Sequence, residues 1–145
     1  MSVTTIVLID ADPSGELAAE LEAIAPFIVH RINAVDRSVP LICNEISALD
    51  PVSPLLIVTN AKDASILPGI ALAQRAAHRR IAGTVLVEPE KVSTSESWPE
   101  SPVFVTISDS APDRVAAALR GWGLLSAKSV AEKARVIVNA ATSVE

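Results

Sequence analysis

Short runs of apolar residues recur along the chain at Val3–Ile9, Leu55–Thr59, Thr84–Val87 and Val103–Ile107. Each is strand-length, rich in β-branched residues, and apolar at successive rather than alternate positions. That pattern predicts strands covered on both faces. Phe27–Ile32 (FIVHRI) is a more polar candidate for a further strand. The intervening segments change to helical spacing. Ser14 is placed to cap a helix in which Leu17, Leu21 and Ile24 recur at three- and four-residue intervals. Ile66, Ile70, Ala73 and Ala77 form a second stripe, closed by His78, Arg79 and Arg80, whose positive charge suits a helix C-terminus. Asp113, Val115, Leu119 and Trp122 mark a third helix, with Trp122 expected to anchor the turn into the last one. Residues 127–141 form that last helix, with Val130, Ala134, Ile137 and Ala141 along one face. Residues 39–50 read as a shorter helix, and the proline- and serine-rich stretch 89–102 reads as a surface loop.

Strands alternating with helices predict a three-layer α/β domain with about five mostly parallel strands. A length of 145 residues fits one domain spanning 1–145, and half of the residues are hydrophobic, which excludes a largely disordered chain. The net charge of -5 argues against a broad nucleic-acid surface. Cys43 is the single cysteine, so neither an intramolecular disulfide nor a multi-cysteine metal cage can form. It is expected at a helix start or strand-to-helix junction, and to be inert. No apolar run is long enough to span a membrane, and no basic, apolar leader is evident, so a cytoplasmic location is expected.

Ligands of open parallel sheets bind beyond the carboxyl ends of the strands. Those positions hold Asp10 and Asp12, then Asn60, Lys62 and Asp63, then Glu88 and Glu90, and finally Asp109. Asp10, Asp12, Asn60, Lys62, Asp63 and Asp109 are therefore candidate ligand-binding residues for a small polar molecule. Trp98, alone among polar residues in the 89–102 loop, joins them as a residue that either pins the loop or meets a partner. A hard divalent cation held by Asp10, Asp12 and Asp109 is the alternative, because such ions favour several oxygens. No Gly-rich phosphate cradle is present, and no bound cofactor is expected. His30 and His78 have no acid close in sequence and read as surface or capping residues.

The stretch PLLIVTNAKDASILPGIALAQRAAHRRIAGTVLVEPE (54–90) resembles the centre of the α/β-hydrolases: a strand, the nucleophile elbow, a buried helix and a following strand. NEISALDPVSP, LAAELEAIAPFIVHRINA and SPVFVTISDSAPDRVAAALRGWG extend the resemblance over roughly residues 3–123. It implies a truncated α/β-hydrolase-like fold, with strands ordered 2-1-3-4-5 by appearance and the 55–59 strand central. Laid over the family's G-x-S-x-G elbow, VTNAKDA places Thr59 and Asp63 at the glycines and Ala61 at the nucleophile. The resemblance implies an acid at Asp109 or, with a poorer match, Asp113, while no histidine follows His78. The resemblance thus implies the scaffold without the usual triad reaction. A non-catalytic binding, accessory or assembly protein, a pseudoenzyme joined to a protein partner or to itself as a homodimer, is the leading expectation. An enzyme of altered mechanism using Asp10, Asp63 and Asp109, with or without a metal, is the alternative. IVLIDADP (6–13) also resembles the opening of a response-regulator receiver, whose paired acids would be Asp10 and Asp12. That implies a degenerate signalling domain, since VFVTISDS supplies no lysine after the later strand.

Overall fold

The computed structural model describes residues 2–35, 37–61, 64–89, 101–107 and 122–144. Within them lies one six-stranded sheet built from β1 (Thr5–Asp10), β2 (Ile28–Asn33), β3 (Leu55–Asn60), β4 (Ile81–Val87), β5 (Val103–Ile107) and β6 (Gly123–Ser126). The spatial order is β2-β1-β3-β4-β5-β6, and every neighbouring pair runs parallel. The helices among the described residues are α1 (Glu16–Ile24), α2 (Val39–Leu49), α3 (Leu67–Ala76) and α4 (Val130–Ser143), with a short 3-10 turn at Ala64–Ile66 before α3.

The sheet has two buried faces, and the continuous apolar runs follow from that. In β1, Val7 and Ile9 belong to one core cluster with Ile42 and Ile46 of α2 and Leu67 and Ile70 of α3. Ile6 and Leu8 belong to the other, with Leu17 and Leu21 of α1 and Ala134 and Ile137 of α4. β3 divides the same way, Leu55 and Ile57 against Leu56 and Val58. Side chains alternate in direction along a strand, so a strand between two helical layers needs an apolar residue at every position. The result is a three-layer α/β architecture with a parallel core.

Several sequence-based boundaries shift. A sixth strand, β6, lies where only a turn into the last helix was expected. Four residues, GLLS, are too few to carry a periodic signal, and pairing with β5 makes them a strand. Gly123 is required there, since a Cβ at that position would lie 2.7 Å from Phe104 Cδ1. Trp122 therefore leads into β6 rather than into α4, and packs on the α2–α3 side of the core. The α3 stripe is Leu67, Ile70, Ala71 and Gln74, not one continuing to Ala77, because the helix ends at Ala76 and His78 turns the chain with φ 62°. The last helix begins at Val130: the Ser129 hydroxyl accepts the Glu132 N–H, and the Glu132 carboxylate accepts the Lys128 N–H. Its small residues Ala134, Ala140 and Ala141 are buried within the domain. The expected helix over residues 113–120 and nearly all of the 89–102 loop lie outside the described residues.

Candidate functional site

The carboxyl ends of β1, β2 and β3 bring together residues far apart in sequence. The segments after β1 and β3 lead to helices on opposite faces of the sheet, so the gap between these strands is a topological switch point. Asp10 ends β1 there, directly beside Asn60 at the end of β3 and Asn33 at the end of β2. Its side chain is completely buried. Oδ1 accepts hydrogen bonds from the Asn60 amide and the Asp12 N–H, both at 3.0 Å, and Oδ2 accepts one from Arg31 Nε at 2.8 Å. Arg31 also donates from Nη2 to the Asp12 carbonyl at 2.8 Å. The Ala11 N–H donates to the Asn60 carbonyl, and the Ala34 N–H to the Asp10 carbonyl. These bonds zip together the chain ends that border the switch point.

Arg31 is the member that sequence reading missed. It lies 21 residues from Asp10, and its signal was a charge inside the strand-length FIVHRI run. A buried carboxylate needs such a partner, because desolvating an unpaired charge is costly. Gly15 covers Arg31: the residue adopts φ +67°, and a Cβ there would lie 3.6 Å from Arg31 Nε. Gly15, not Ser14, is also the N-cap of α1, with the Ser14 hydroxyl accepting the Glu16 N–H instead. Glycine fits because the left-handed conformation carries a steric cost for any residue with a Cβ.

Asp12 is a turn-forming acid. Its Oδ1 accepts the Ser14 N–H at 3.0 Å, and that bond, with Arg31 and Lys133 contributing charge, holds its carboxyl below the usual aspartate range. Lys133 ties α4 to the sheet through Glu88 at 3.2 Å, a residue at the end of β4 with φ 44°. Asp10, Asp12 and Asn60 thus converge, but their polar atoms are aimed largely at one another and at Arg31. Both Asp10 oxygens are already engaged, one by a cation, so a divalent ion would have to displace the guanidinium. Among the described residues, no group of three or more His, Cys, Asp or Glu side chains is spaced to hold a metal. Lys62, Asp63, Asp109 and Trp98 lie outside the described residues.

Ala61 directly follows β3, and the chain then enters the 3-10 turn and α3, a strand-to-helix passage of the kind a nucleophile elbow occupies. The side chain at that point is a methyl group. Thr59, on the α2–α3 side of β3, is buried with an unpaired hydroxyl oxygen. At the opposite end of the sheet, Arg79 donates to Asp50 Oδ1 at 3.0 Å and to Gln74 Oε1 at 3.1 Å, a structural clamp between the ends of α2 and α3.

Cys43 lies within α2, past its first turn, rather than at the helix start, and packs on the core. Burial pushes its thiol up from the ordinary value, which leaves less nucleophilic thiolate at neutral pH. Iodoacetamide should therefore modify the folded protein more slowly than the urea-unfolded chain at pH 8, with the gap narrowing as pH rises above about 9. Equal rates at pH 8 would contradict a shielded thiol.

No protein-family model matches the chain, and no curated protein matches it. Among solved structures, one titled "Bacterial Heroin Esterase" superposes with a TM-score of 0.59 over 98% of this chain and 75% of its own length, at 13% identity. At that identity the likeness is one of fold. The three-layer, parallel-stranded architecture resembles a truncated α/β-hydrolase fold.

Proposed function

We propose that this chain is a non-catalytic binding or assembly module on an α/β-hydrolase-like scaffold. The observation that carries this reading is Ala61, a methyl group directly after the central strand β3, where that scaffold would require a reactive oxygen. The state of Asp10 supports it. A general base or metal ligand needs a lone pair directed at a ligand, whereas the Asp10 oxygens receive Arg31, Asn60 and the Asp12 amide. The polar residues of the switch point then serve to fasten three strands together.

The test is hydrolysis of a panel of activated esters by the wild-type protein and by Ala61→Ser. Neither is expected to exceed the buffer rate, because a hydroxyl alone has no base to activate it. Wild-type turnover that disappears in Asp63→Ala would overturn the proposal in favour of a carboxylate-dependent enzyme.

A further inference from the structure

We draw no further inference here: the strongest candidate, the basic patch at the end of α3 where the exposed Arg75 and Arg80 flank the Arg79–Asp50 clamp, carries nothing, because the clamp is already accounted for and nothing in the structure shows what covers the two exposed arginines.

Discussion

Replacing Asp10 with alanine is expected to lower the free energy of unfolding by about 3 kcal/mol, because one deletion strands three donors. The Asn60 amide, the Asp12 N–H and the Arg31 guanidinium all converge on this carboxylate, whose own exposure is 0%. Removal of one partner of a buried ion pair costs about 3–5 kcal/mol when the other charge stays dry. Arg31 retains 29% side-chain exposure and can regain some water, which places the effect at the lower end. Arg31→Ala leaves the opposite problem, a carboxylate without its cation in a site that water does not reach. The double variant should therefore lose less than the sum of the single losses. Urea unfolding of the three variants measures this. A loss below about 1 kcal/mol for Asp10→Ala would mean that the switch-point network contributes little to stability.

Ile137→Ala should cost a similar amount, about 3–4 kcal/mol, for a different reason. Ile137 is 0% exposed, in the core cluster that joins Leu17 and Leu21 of α1 to Leu56 and Val85 of the sheet. Truncation removes buried methyl and methylene groups and leaves a cavity that rigid strands on one side cannot fill. Asn139, two residues along the same helix and exposed, should tolerate alanine within about 0.5 kcal/mol. The contrast separates a packed helix from a loosely tethered one. A Ile137→Ala loss indistinguishable from that of Asn139→Ala, in the same denaturation assay, would show that α4 is not part of the cooperative core.

The candidate site was partly legible. Asp10, Asp12 and Asn60 were placed at strand ends by counting along the chain, and they do meet. Their roles were not legible, since a strand-end carboxylate reads alike whether it faces solvent, a ligand or an arginine on the neighbouring strand. Arg31 acquires meaning only once β2 lies beside β1. Ala61 was the opposite case: its chemistry is fixed by residue type, and the structure adds only that it directly follows β3.

The linear order of residues determined the strands that are apolar at every position, the amphipathic stripes of α1 and α4, and hence the layered α/β class. These are local consequences of side-chain period and β-branching, and they survive without knowledge of neighbours. Tertiary structure alone decided that GLLS is a strand, that Asp10 is paired with Arg31 rather than presented, and that β6 ends the sheet among the described residues. Each of those depends on hydrogen bonds and desolvation between segments widely separated along the chain, and local periodicity carries no information about them.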